Sequence, residues 1–174
     1  MIKLYDSLPN TIEVEGREFL VRTDYRYWLL FYRIVSQGKF KLGDLYFLFK
    51  DEMPQCDFIP ALVDFFENPN STPKSQGGNK DKAIDYIEDG EYIYASFMQA
   101  YGIDLLKVNM HWHKFKALVT GLPKDTKMSE IMALRTWTDD KRKIEEIYKD
   151  LKRAWALPKQ IDMEKIKERD EFFG

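Results

Sequence analysis

The chain has 174 residues, with 27 basic and 29 acidic side chains and a formal net charge of −2. That length favours one domain with a core of its own. A hydrophobic content of 44% excludes wholesale disorder, and near-neutral charge argues against a general nucleic-acid binder, which carries a basic stripe. The longest apolar runs, at 28–32 and 45–49, fall well short of the ~18 residues that a membrane span needs. No basic-then-apolar signal opens the chain. The single cysteine, Cys56, excludes an internal disulfide and fits a reducing compartment.

The first predicted element is a β-hairpin. Ile12 and Val14 alternate with Thr11, Glu13 and Glu15. Gly16-Arg17 supplies the turn, and Phe19 and Val21 alternate with Glu18, Leu20 and Arg22. Period two is the strand signature, and a lone hairpin is marginal, so it must lie on something else. The next segment supplies that support. Thr23 is the expected N-cap, with Asp24 in the first turn. Tyr25, Trp28, Leu29, Tyr32 and Val35 share a helical face, and Leu30, Phe31 and Ile34 fill much of the rest, the pattern of a buried helix ended by Gly38. Two shorter helices follow. Asp44 is expected to cap one carrying Leu45, Leu48 and Phe49. Asp57 is expected to cap another carrying Phe58, Leu62, Phe65 and Phe66, with Pro60 in its first turn.

Residues 68–80 read NPNSTPKSQGGNK, with no hydrophobic side chain. Such a segment cannot offset its ordering entropy and is expected to be a mobile linker. No strand precedes Gly77-Gly78 and no Gly-Lys-Ser/Thr follows, so a phosphate loop is not indicated.

The second half is more regular. Ile84, Ile87, Tyr94, Phe97, Met98 and Tyr101 predict a long helix with Gly90 as a weak point inside it, closed by Gly102 and the apolar Ile103. Trp112, Phe115, Leu118, Val119 and Leu122 mark another, and Ile131 and Leu134 a short one over 129–135. Thr138 is expected to cap the last, with Asp139 and Asp140 in its first turn. Ile144, Ile147, Tyr148, Leu151 and Trp155 form its stripe, Glu145 pairs with Lys149, and Pro158 is the stop. The fold class expected is therefore mainly α: a bundle of about six helices with a small N-terminal β-hairpin. In that division residues 1–67 hold the hairpin and first helices, 68–80 the linker, 81–158 the C-terminal helical part of the same domain, and 159–174 a charged tail whose removal should leave the fold intact.

No catalytic constellation stands out. His111 and His113 are the only histidines; two residues apart on a helix they would not share a metal, whereas on an extended segment they could, and a site would need further ligands, with Cys56 the only soft one. No serine sits in a Gly-x-Ser-x-Gly elbow, and Cys56 reads as a small buried hydrophobe. No enzyme activity, metal or cofactor is expected. Residues 81–104 hold six acidic side chains and one lysine, whereas 107–135 hold six basic and two acidic ones. The two segments can satisfy each other, or present a face to a partner. Aromatics make up 15% of the chain, a surplus useful both in a core and at a contact surface.

Two stretches carry a family resemblance. Residues 91–105 read EYIYASFMQAYGIDL, and 110–115 read MHWHKF, continuing through Gly121-Leu122-Pro123 to 131–135, IMALR. With the N-terminal hairpin, Asp24-Tyr25-Arg26, the Trp28 helix and Trp155-Ala156-Leu157-Pro158, they resemble the "gene product fifteen" family of long-tailed phages and prophages. The resemblance implies a role in tail morphogenesis in the host cytoplasm. It points to a tail-assembly chaperone-like adaptor that binds the tape-measure protein, with the tail tube protein as a further candidate partner, and it supplies no active-site residues. A structural component retained in the virion is the alternative, and a nucleic-acid module using 107–135 a weaker one. Self-association is compatible with coating a long substrate. The residues expected at a partner surface are His111, His113, Lys114 and Lys116, with Phe172 and Phe173 of the tail, whereas Tyr94, Phe97 and Trp112 are expected in the core.

Overall fold

The computed structural model describes residues 6–67, 82–137 and 145–157, together with Met163 and Ile166. Among them the chain is mainly α-helical, with six α-helices, a 3-10 helix and a two-stranded antiparallel sheet. The chain forms two compact units. The first comprises Met1–Pro73, Asn109–Ala117 and Gln160–Gly174, and the second Lys74–Val108 and Leu118–Lys159. The expected linker at 68–80, the Thr138 cap and Pro158 lie outside the described residues.

In the first unit, β1 (Thr11–Val14) pairs with β2 (Arg17–Leu20), with Val14 opposite Arg17. The turn is therefore Glu15-Gly16, one residue earlier than Gly16-Arg17. Both residues have positive φ, 49° and 76°, as a two-residue hairpin loop requires to match the strand twist. Alternation buries Ile12, Val14, Phe19 and Val21. The chain beyond β2 pairs again, with Arg22 N–H donating to the Leu48 carbonyl (2.7 Å) and Lys50 N–H to that of Leu20 (3.0 Å).

Helix α1 (Tyr25–Ser36) starts one residue later than Thr23 capping would give. Asp24 is the cap, and its carboxylate accepts the Arg26 N–H at 3.1 Å. It stops at Gly38, whose φ of 73° L-side chains rarely adopt. Tyr25, Trp28, Phe31, Tyr32 and Val35 are buried. The helix is not apolar on every side in effect, because Leu30 stays 41% exposed. The 3-10 helix (Leu42–Leu48) places Asp44 in its first turn rather than at its cap, where the carboxylate reaches back to the Lys41 N–H at 2.8 Å. Helix α2 (Ile59–Glu67) is capped by Asp57, which accepts the Ile59 N–H at 3.0 Å. It buries Leu62, Val63, Phe65 and Phe66. Met163 and Ile166, which belong to this unit, are 7% and 1% exposed. That burial argues against the expectation that removing the residues after Pro158 leaves the fold intact.

In the second unit, α3 (Gly90–Tyr101) is shorter than the periodicity predicts. Gly90 begins the helix instead of interrupting it. The residues before it form a turn in which Asp85 accepts the N–H groups of Ile87 (2.8 Å) and Glu88 (3.0 Å). Carboxylates favour such local turns over helix interior. Gly102 closes α3 in the left-handed region (φ 62°), its N–H on the Met98 carbonyl and that of Ile103 on Phe97, as expected. Helix α4 (Trp112–Thr120) contributes Val119 to this unit's core, beside Ile93 and Phe97 of α3 and Met128 and Ile131 of α5 (Lys127–Thr136). Helix α6 (Glu145–Ala154) departs from expectation. Ile147, Tyr148 and Leu151 are 71%, 39% and 40% exposed, so the predicted stripe is not a core stripe. Ile144 lies outside the described residues.

A buried ion pair locks this unit. Arg135 is buried and donates both terminal nitrogens to Asp89, at 2.6 and 2.8 Å, a fork-to-fork pair. It also donates to the carbonyls of Trp155 (2.8 Å) and Ala83 (3.2 Å). With the surface pair of Lys107 and Asp104 at 3.0 Å, two acidic residues of 81–104 are thus satisfied by two basic residues of 107–135.

Candidate partner-binding site

The segment that carries His111 to Lys116 is built into the first unit by its backbone. The Tyr25 N–H donates to the Met110 carbonyl (2.9 Å) and the Trp112 N–H to that of Thr23 (2.7 Å). Asp24 accepts the Met110 N–H at 3.2 Å and two donors of the Arg26 guanidinium at 2.8 and 3.0 Å. Burial alone would raise the Asp24 carboxyl, but these bonds hold it below its ordinary value.

The side chains of the same segment cap α2. A helix end leaves its last carbonyls without intrahelical donors, and α2 has no basic residue in its own last turn. Three side chains of α4 supply the donors. His113 Nε2 meets the Phe65 carbonyl at 2.8 Å, and Trp112 Nε1 meets that of Phe66 at 2.9 Å. Lys116 Nζ donates to Phe66 and Glu67, each at 2.7 Å. Around this cap the rings stack. Phe66 lies 4.8 Å from Trp112, Phe65 4.6 Å from His113 and 4.4 Å from Trp28, and Tyr25 4.7 Å from Phe115.

This geometry redistributes the expected surface. His113 is buried, so it is not a surface contact; its position at the end of α2 explains why. Burial pushes its imidazole down to about 4, against the opposing pull of the Phe65 carbonyl. Burial likewise pushes the Lys116 ammonium down to about 8, and Lys116 is only half-buried. His111 is half-buried, with its Nε2 on the Pro9 carbonyl (2.9 Å) and its Nδ1 accepting the His113 N–H (3.0 Å). That arrangement selects the tautomer protonated on Nε2. Lys114 is exposed, whereas Phe172 and Phe173 lie outside the described residues. Trp112 and Phe97 are in the core and Tyr94 is half-buried. Among the described residues no three His, Cys, Asp or Glu side chains are placed to hold a metal ion. The Cys56 thiol is pushed up by desolvation and by Glu15, which makes it a poor nucleophile at neutral pH.

A surface that the periodicity did not reveal lies on the outer side of α1. Tyr27 is 36% exposed, stacks on Phe47 at 6.4 Å, and carries the Arg22 guanidinium 5.6 Å over its ring. Leu30 is exposed one turn on, and Tyr46 is 70% exposed. A helical wheel of α1 looks apolar nearly all round; Arg26 and Arg33, a turn on either side of Leu30, mark its side as outward, but nothing in the period marks Tyr27.

Residues 50–157, more than half of the chain, match the family model described as bacteriophage Gp15 protein. The chain belongs to the bacteriophage Gp15 family. This is a family of phage structural or morphogenesis proteins. No curated protein and no solved structure matches it significantly. The residues that mark the Gp15 resemblance are mostly structural. Phe97 and Trp112 are fully buried, Gly102 is a left-handed cap, and Arg135 is held by Asp89. No helix among the described residues is long and apolar enough to cross a membrane.

Proposed function

We propose that this Gp15 protein is a tail-assembly chaperone-like adaptor, which binds the tape-measure protein during tail morphogenesis and has the tail tube protein as a second partner. Family membership carries the reading. It is supported by the exposed Tyr27, which stacks on the half-buried Phe47 with Arg22 over its ring, and by the exposed Tyr46. A tape-measure chain is long and helical, and its apolar face has no partner until the tube forms around it. Exposed faces of that kind aggregate. An escort covers them with many weak helix-in-groove contacts, whose avidity along one substrate holds the complex while each contact stays displaceable.

Co-expression with the tape-measure protein tests the reading. The expected result is a severalfold rise in soluble tape-measure protein, reduced by Tyr27→Ala with Tyr46→Ala. Equal solubility with and without this chain refutes it. Mass spectrometry of purified particles then separates an escort, scarce in the virion, from a retained tail component, which is abundant.

A further inference from the structure

Of the six described arginines, four hold a carboxylate: Arg17 that of Glu52, Arg26 that of Asp24, Arg135 that of Asp89 and Arg153 that of Asp150. The other two, Arg22 and Arg33, make no ion pair among the described residues. Both border the exposed apolar surface of the first unit. Arg22 sits 5.6 Å over the Tyr27 ring. Arg33 follows the exposed Leu30 by three residues, on the same side of α1. Tyr46 is exposed on the 3-10 helix, next in the chain to the Phe47 that stacks on Tyr27. Residues 22–50 hold six basic and two acidic side chains, in a chain whose net charge is −2. Both acids are engaged, Asp24 by Arg26 and the Met110 N–H, and Asp44 by the Lys41 N–H. An apolar surface framed by uncompensated guanidinium groups selects an anionic partner over a merely greasy one.

We infer that this surface takes an amphipathic helix of the tape-measure chain whose apolar residues are bracketed by carboxylates about two turns apart. The inference rests on the tail-assembly reading and adds the chemistry of the segment that is bound. Tyr27, Leu30 and Tyr46 meet the apolar residues. Tyr27 and Arg33 lie six residues apart on α1, about 9 Å along its axis. Arg22, over Tyr27, and Arg33 therefore stand close to two helical turns apart. A facing helix offers carboxylates at that spacing from positions i and i+7, with i+3 and i+4 between them for Leu30. A guanidinium holds a carboxylate through two parallel N–H bonds and is more weakly hydrated than an ammonium. Neither arginine has to give up a carboxylate in order to bind. Two separate arginines with an aliphatic side chain between them suit that pattern, whereas a phosphate backbone calls for a basic stripe. Charge then steers the encounter, and each contact stays weak and salt-sensitive, as a displaceable escort requires.

Two designed helices of about 21 residues, long enough to stay helical, are the probes. Both carry leucine at i+3 and i+4 of each heptad. The bracketing position i is glutamate in one and lysine in the other. Fluorescence anisotropy against the full chain reads their binding. The glutamate helix is expected to bind at least about tenfold more tightly than the lysine helix, and to lose about fivefold or more between roughly 50 and 300 mM salt. Arg33→Glu, at an exposed site, is expected to reverse the preference, and Tyr46→Ala to weaken both probes, each at an unchanged circular dichroism spectrum. Equal binding of the two probes, indifference to Arg33→Glu, or no binding of either at about 1 mM overturns the inference. So does displacement of the glutamate helix by an oligothymidylate of roughly 20 nucleotides, which assigns the surface to phosphates. Self-association of the chain that Tyr46→Ala abolishes assigns it to a second copy and overturns the inference too. Peptides tiled along the tape-measure protein test the underlying reading separately. If the probes behave as expected and no tiled peptide binds, the tail-assembly reading falls and the preference for an acidic helix stands.

Discussion

His113 turns the cap of α2 into a pH-dependent element. Its imidazole is held at about 4 by burial, against 6.5 ordinarily, so the folded state resists a proton that the unfolded state accepts. Stability is therefore complete above about pH 6.5 and falls as pH drops from there to about 4, below which the contribution is flat. The loss is of order 3 kcal/mol, and His111, also depressed by burial, acts in the same direction. Thermal melts at pH 7.5 and 4.5 check this. His113→Gln, which keeps a donor for the Phe65 carbonyl but does not titrate, is expected to lower stability at pH 7.5 and to remove most of the slope. An unchanged slope would show that His113 is not its source. Arg135 poses a different case. Arg135→Met leaves Asp89 charged and buried, which costs about 3–5 kcal/mol. Adding Asp89→Asn removes the orphaned charge, so urea denaturation of the double variant is expected to recover part of that loss. Neither role is visible in the chain as written. Both histidines look like first-turn decoration of α4, and Arg135 is one of six basic residues in a segment whose excess charge reads as surface.

At the scale of elements, local chemistry decides boundaries that periodicity misses by a residue or more. The hairpin is legible because alternation marks Ile12, Val14, Phe19 and Val21 as inward. The register then forces the loop onto Glu15 and Gly16, both at positive φ. A glutamate there carries strain that asparagine tolerates better. Glu15→Asn is accordingly expected to stabilise the chain by roughly 0.5–1 kcal/mol, read as a shift in the denaturation midpoint. The opposite lesson comes from α3. Ile84 and Ile87 continue the apolar period of the helix, yet Asp85 and Asp89 hold the backbone N–H groups of that stretch in a turn. Hydrophobic spacing is blind to such bonds.

For the molecule as a whole, sequence order and spatial membership part company. Residues 109–117 join the first unit although they follow α3, and Met163 and Ile166 join it from the end of the chain. Truncation after residue 158 removes both buried side chains, worth about 1.5–3 kcal/mol each. Calorimetry should register a fall in melting temperature of about 10 °C or more; an unchanged transition would show that the two side chains contribute nothing to stability. The charged composition of that tail hides the point, because two apolar residues three apart among charges make a faint helical signal. By itself the sequence determined the mainly α class, the hairpin, the helices around Trp28 and Trp112, the Gly102 cap and the family, since each rests on local pattern or on a run of specific residues. Only the tertiary structure decided which apolar faces are covered, that His113 and Lys116 complete α2 instead of meeting solvent, and that Asp89 holds Arg135. Those outcomes depend on which segments meet in space, and periodicity along one segment carries no record of its neighbour.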